Sequence, residues 1–208
     1  MTSVVKIPPA RMDEAVGVLS RAFLASPLVR FLAGEDVTAA DPRMAEWWRF
    51  SCAVRTELGW PLLGVEVNGR LVAAMGLSLT AGPEWPDSLH AAYSCLLGIL
   101  GPAGAARLDE YGPAAESHRI TEPHHYLGFI GVEPTEQGRG HSRPLMDEAH
   151  RRSEADPLST GIGLDTDTEP NVALYQHFGY EVTEVLDVLG QPVWCMFRPN
   201  SPRGPASL

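Results

Sequence analysis

Three features of the sequence predict a mixed α/β (α+β) fold. Helical and strand-like stretches follow one another in the order ααββαβαβαββ, which calls for a mixed sheet with helices on its faces. Asn68-Gly69 stands between two strand-like runs and is the strongest short hairpin signal a sequence can carry. Gln137-Gly138-Arg139-Gly140-His141-Ser142 lies between an apolar strand-like run and a helical run, so a tight turn feeds a helix there. A length of 208 residues suits one domain with a real core. We read that domain as 1–199 and predict a disordered tail over 200–208, where prolines, serines and a glycine gather.

Arg11 to Phe23 carries Met12, Ala15, Val16, Leu19, Ala22 and Phe23 on one helical face. Pro27 and the apolar patch Leu28-Val29, Phe31-Leu32 follow. Asp41-Pro42 marks the start of a second helix, which runs to about Leu58 and carries Trp47, Trp48 and Phe50. Leu62 to Val67 and Leu71 to Leu79 are the strands of the hairpin. Pro83-Glu84-Trp85-Pro86 interrupts the pattern, Leu89 to Leu100 restores it as a helix, and Gly101-Pro102 ends that helix. A short helix and a loop are expected between Ala103 and Glu122.

Tyr126 to Val132 reads as a buried strand ending at Glu133-Pro134. A helix follows from about Gly140 to Ala155, with Pro144 in its first turn, where a missing N–H costs little. Gly161 to Thr166 is another strand, and Asn171 to Phe178 a short helix closed by Gly179. Val182 to Val188 and Val193 to Arg198 complete the sheet.

Composition bounds the function. With 44% hydrophobic and 20% charged residues the chain reads as soluble and globular. No apolar run approaches the ~18 residues that span a bilayer, and the first residues lack the apolar core of a signal peptide. Cys52, Cys95 and Cys195 lie far apart, without CxxC or CxxH spacing, which argues against a zinc site or a disulfide framework and for a reducing cytoplasmic setting. A net charge of −10 repels a nucleic-acid backbone. It attracts cationic small molecules, though solubility accounts for the charge equally well.

The turn from Gln137 to Ser142 is the chemical centre of the sequence. Two glycines remove the Cβ atoms from a backbone that must approach a ligand closely. A helix starting beside them aims its free N–H groups and positive dipole end into the turn, which suits a phosphate or diphosphate. Its spacing fits Q-x-x-G-x-G/A. It follows the strand end Gly131-Val132-Glu133-Pro134 and precedes Asn171-Val172-Ala173-Leu174-Tyr175-Gln176-His177-Phe178-Gly179-Tyr180, an N-x-x-A-x-Y-x-x-x-G-aromatic helix. On these motifs, over about Tyr126 to Arg198, the chain resembles the GCN5-related N-acetyltransferase (GNAT) superfamily. Val193-Trp194-Cys195-Met196, and a first helix ending Ala22-Phe23 before Pro27, make it similar to puromycin N-acetyltransferase-like proteins within it.

The resemblance implies a mostly antiparallel sheet with a splay between its fourth and fifth strands, here Leu127 to Val132 and Gly161 to Thr166. It implies acetyl-CoA as co-substrate, no metal, and a chain acting as monomer or homodimer on the amine of a small molecule such as an antibiotic or other natural product. A peptide or protein amine as acceptor, or a CoA-binding regulatory module without turnover, are the rival readings. Cofactor contacts are implied at Ile130, Gly131 and Val132, at Gln137, Gly138, Arg139, Gly140, His141, Ser142 and Arg143, and at Asn171 and Tyr175. Phe23 and Pro27 are implied as substrate wall. Two departures stand out: Ser142-Arg143-Pro144 where small or aliphatic residues are usual, and the acidic Asp165-Thr166-Asp167-Thr168-Glu169 segment.

By the resemblance Tyr175, one helical turn after Asn171, protonates the departing thiolate; taken alone, it is a core tyrosine on a short helix. For the base, His124 or His125 before the fourth strand and Asp165 or Asp167 at the end of the fifth are candidates, with His125 and Asp165 leading. A solvated edge, a hydrated loop and a water chain without a single base are the competing readings. His141 is expected to face solvent beside the phosphates, and Cys195 to be an inert buried thiol.

Overall fold

The computed structural model describes residues 3–80, 82–116, 120–188 and 190–201. Seven strands form one sheet in the order β1-β2-β3-β4-β5-β7-β6. They are β1 (Ser3–Lys6), β2 (Leu62–Val67), β3 (Arg70–Ser78), β4 (His125–Val132), β5 (Gly161–Thr166), β6 (Glu181–Val188) and β7 (Gln191–Pro199). Every neighbouring pair is antiparallel except β4 with β5. Asn68 and Gly69, at φ of 53° and 79°, make the tight turn between β2 and β3. β1 is an addition to the expected elements. It holds four residues and borrows its order from β2, so periodicity alone had little to detect.

One face of the sheet is covered by α1 (Met12–Ala22), α2 (Pro27–Ala33), α3 (Pro42–Glu57) and α4 (Asp87–Glu116). Their apolar sides meet Ile7, Leu71, Ala74 and Phe129 in one core cluster. The other face is covered by α5 (Ser142–Ala155) and α6 (Glu169–His177). Leu145, Met146 and Ala149 of α5 pack there against Val72, Met75, Leu127 and Leu164. Fully burying side chains of this size stabilises the fold by about 1.5–3 kcal/mol each. Gly101, at φ 71° and ψ 176°, bends α4 where its end was expected, but helix resumes at Pro102 and reaches Glu116. The segment Asp87–Tyr111 is long and apolar enough to cross a membrane by length and composition, contrary to the sequence expectation. In this fold it packs on α3 and α2.

The parting of β4 from β5 is built into the strands. They pair only at His125↔Ile162, Tyr126↔Gly163 and Leu127↔Leu164. Beyond that point β4 stays paired with β3 as far as Val132, and β5 stays paired with β7 as far as Thr166. On the β3 side Gly76 pairs with Phe129 and Leu77 with Leu127, leaving Gly128 as the extra residue of a bulge. A bulge bends its strand, and this one falls at the last β4–β5 pair. A side chain at Gly128 would collide with the Arg55 guanidinium, 1.9 Å from where its Cβ would stand.

The tail expectation needs correcting at its start. Asn200 donates to the carbonyls of Ser153 and Ser159, at 2.9 Å each, and so fastens the end of β7 to α5. Residues 202–208 lie outside the described residues.

Candidate functional site

Val132 ends β4, and Gln137 Nε2 donates to its carbonyl at 3.2 Å, fixing the following turn to the strand. Gly138 and Gly140 sit at φ of 76° and 79°, a region costly to any residue with a Cβ, and open space lies where those Cβ atoms would be. The amides of Gly138, Arg139, Gly140 and His141 donate to no acceptor among the described residues, in a turn that leads directly into α5. Free donors and a helix N-terminus thus share one side of a cavity of about 570 Å³. These residues fit a diphosphate.

Some details depart from expectation. The Arg143 amide is already used, donating to the Gly140 carbonyl at 3.2 Å. Neither arginine charge lines the cavity: Arg139 pairs with Glu136 at 2.9 Å, while Arg143 lies on the Phe178 ring and beside His177. His141 is buried rather than solvent-facing, and it is among the residues that line the cavity. Its Nε2 lies 3.5 Å from a Glu136 carboxylate oxygen, within ion-pair range but without a hydrogen bond. Pro144 is the third residue of α5, where the helix needs no N–H.

A second cavity, of about 340 Å³, opens on the opposite side of the splay. Phe23, Trp47, Trp48 and Phe129 give it aromatic walls, and Phe23 stacks on Trp48 at 4.6 Å between ring centres. Trp47 and Trp48 of α3 are therefore both packed with the core and part of the cavity wall. Arg55, over the Phe129 ring at 5.0 Å, adds a cation; Asp165 and Asp167 add carboxylates. Tyr126 donates its phenol proton to Asp165 at 2.7 Å.

The two cavities share one wall made of Phe23, Ser26, Ile130, Asp167, Asn171 and Tyr175. It joins Ile130, on the part of β4 not paired with β5, to Asp167 just beyond the end of β5. Gly131 and Val132 line only the first cavity, with Ser142. Tyr175 is buried, and burial, then the nearby Asp167 charge, push its phenol pKa well above the ordinary tyrosine range. It stays protonated at any working pH. Among the described residues no hydrogen bond engages its hydroxyl.

Besides the two arginines, His125 and Pro27 also stand elsewhere. His125 begins β4 at the end where β4 and β5 still pair; it is buried, lines neither cavity, and meets Asp156 through Nε2 at 2.9 Å. It fastens β4 to the turn after α5 and stands apart from the gap. Pro27 starts α2 and lines neither cavity; its neighbours Ser26 and Leu28 line the second. The two buried thiols are poor nucleophiles: burial pushes Cys52 up to about 12, and burial with the Asp165 charge pushes Cys195 up to about 12. Among the described residues no cluster of three or more His, Cys, Asp or Glu side chains is placed to hold a metal.

Comparison with known proteins decides the family, since the profile of the Acetyltransferase (GNAT) family matches residues 28–180. The chain belongs to the GNAT family. Among curated proteins no sequence match is found. Several solved GNAT structures share the fold. A histone acetyltransferase HPA2 and related acetyltransferase from Corynebacterium glutamicum superposes with a TM-score of 0.68 at 17% identity, covering 99% of each chain. The ribosomal-protein-S18-alanine N-acetyltransferase of Escherichia coli gives 0.56 at 14% identity, covering 100% of this chain and 99% of its own. The PaiA N-acetyltransferase of Thermoplasma acidophilum, solved with coenzyme A, gives 0.57 at 9% identity, covering 96% of this chain and 99% of its own. The GNAT sheet, with one parallel pair at β4 and β5, is thus the observed architecture.

Sequence reasoning did not single out Ser26, Arg55, Tyr126 or Gly128. Only Gly128 carried a signal, as an isolated glycine inside a strand pattern.

Proposed function

We propose that this GNAT protein transfers an acetyl group from acetyl-CoA to the amine of a small molecule. The observation that carries the reading is the meeting of two cavities at Tyr175, through the gap between β4 and β5. One offers free amides and a helix N-terminus for a diphosphate. The other is walled by aromatic rings and holds two carboxylates, a setting for a cationic amine on an apolar body. Its volume of about 340 Å³ suits a small molecule.

When bound, acetyl-CoA supplies an activated thioester. The amides of Gly138 to His141 and the α5 N-terminus hold its diphosphate. Asn171 and the unpaired edge of β4 beyond Leu127 hold the arm that carries the thioester through the gap. Backbone donors on that edge polarise the reacting carbonyl, a contribution of about 3 kcal/mol to the barrier in comparable sites. Tyr175, neutral and on the shared wall, gives its proton to the sulfur as the new amide forms.

Release of free thiol from acetyl-CoA over a panel of amines tests this. Puromycin, the acceptor of the similar group, comes first; aromatic monoamines and a peptide with a free N-terminus follow. Turnover confined to small amines is the expected result. Preference for the peptide overturns the substrate class, and saturable CoA uptake without any turnover overturns the enzyme.

A further inference from the structure

We propose that Asp167 receives the ammonium group of the acceptor and takes its proton. The inference rests on the acetyltransfer reading and adds the base that reading leaves open.

Asp167 is the carboxylate of the wall common to both cavities; Asp165 lines the second cavity but not the first. The two oxygens of Asp167 are used differently. Oδ2 accepts from the Ser26 hydroxyl at 2.5 Å and from the Leu28 amide at 2.9 Å. Ser26 caps α2 and Leu28 lies in its first turn, so two donors at the start of that helix hold the carboxylate. Oδ1 accepts from no described group. One oxygen is therefore held while the other has no partner among the described residues, on a residue that lines both cavities. Asp167 and Tyr175 line both cavities together, so a proton acceptor and a proton donor share the same wall.

The step balances as follows. An acceptor entering as R–NH₃⁺ gives one proton to Oδ1, and the freed lone pair forms the C–N bond as the C–S bond breaks. Sulfur takes the Tyr175 proton. The second nitrogen proton and the proton on Asp167 leave to solvent, from which Tyr175 is reprotonated. The sum is ammonium plus thioester giving amide, thiol and one proton.

Other ionisable groups face this point. Tyr175 comes from α6, Asp165 from β5, Tyr126 from β4, Arg55 from α3 and Tyr111 from α4. Glu136 and His141 lie across the first cavity. A pH profile alone thus cannot single out Asp167, and the test compares profiles between variants.

The experiment measures kcat/KM for puromycin, 2-phenylethylamine and L-phenylalaninamide at pH 7 and pH 10, in wild type, Asp167→Asn and Ser26→Ala. Asparagine keeps an oxygen for Ser26 and Leu28 but not the charge or basicity. At pH 7 Asp167→Asn should lower kcat/KM by about 100-fold, with CoA affinity held within about threefold. The deficit should shrink to roughly tenfold or less at pH 10, where the amine sheds its own proton. Ser26→Ala should lose about fivefold or less, equally at both pH values. Should the asparagine variant fail to fold, Asp167→Ser takes its place with the same expectations. A loss under threefold, or a loss of equal size at both pH values, overturns the assignment and leaves the acetyltransfer reading intact. A wild type that binds CoA and acetylates none of these amines overturns both.

Discussion

Replacing Tyr175 by phenylalanine removes one hydroxyl from the wall between the two cavities. The magnitude follows from its surroundings. No described group hydrogen-bonds that hydroxyl, so its loss strands no partner and should change folding stability by less than about 0.5 kcal/mol. CoA affinity should stay within about twofold, because the diphosphate rests on Gly138 to His141. The rate should fall, but within bounds. A thiol of ordinary pKa about 8.5 leaves without desperate need of a proton, so losing its acid should cost about 10- to 100-fold in kcat, or about 1.4–2.7 kcal/mol of barrier. Burial and the Asp167 charge hold the phenol protonated, so wild-type kcat should show no alkaline decline from Tyr175 below about pH 10. Steady-state release of free thiol, with the best amine at saturation, measures the first effect, and calorimetric titration of CoA the second. A variant with kcat within twofold of wild type would refute the role. So would one whose CoA affinity falls in step with its rate.

Two further predictions concern the frame. Glu133, buried at the end of β4, takes a paired contact from Arg21 of α1 at 2.7–3.0 Å. Arg21→Ala leaves that carboxylate without its cation; with Arg21 half-exposed the loss should be about 2 kcal/mol in urea unfolding, and one below about 0.5 kcal/mol contradicts it. His150, beside the Tyr180 hydroxyl at 3.2 Å, has its pKa lowered to about 4, first by burial and then by the Arg198 charge. The folded value lies below the unfolded one, so this contribution is complete above about pH 6.5 and is lost as the pH falls towards 4. Discounted for partial exposure, the loss is about 1–2 kcal/mol. Urea midpoints of wild type and His150→Gln across that window should converge on acidification; parallel declines count against it.

How much was legible depended on whether a feature is local. Asn68-Gly69 makes its turn from two residues' own backbone preferences, and Gly101 bends α4 for the same kind of reason. The diphosphate turn is likewise local, since two glycines and a helix start define it. Side-chain direction is not local. Arg139 and Arg143 carry the charge expected of a phosphate site, but Glu136 and the His177–Phe178 pair claim them. His125 is close in sequence to Tyr126, which does reach the second cavity; strand alternation and Asp156 send it elsewhere. His141 was expected to face solvent beside the phosphates, but it is buried, with Nε2 3.5 Å from a Glu136 carboxylate oxygen. The wall residues Ser26 and Arg55 come from helices distant in sequence, and only the folded chain brings them to β4 and β5.

The central claim is that unengaged main-chain amides at the mouth of α5 capture a diphosphate. Titration calorimetry comparing CoA with pantetheine, the same arm without diphosphate and nucleotide, tests it most directly. We expect CoA to bind in the micromolar range and pantetheine at least about 100-fold more weakly, a gap of about 2.7 kcal/mol. Equal affinities, or no heat from CoA with folded protein, would contradict the account.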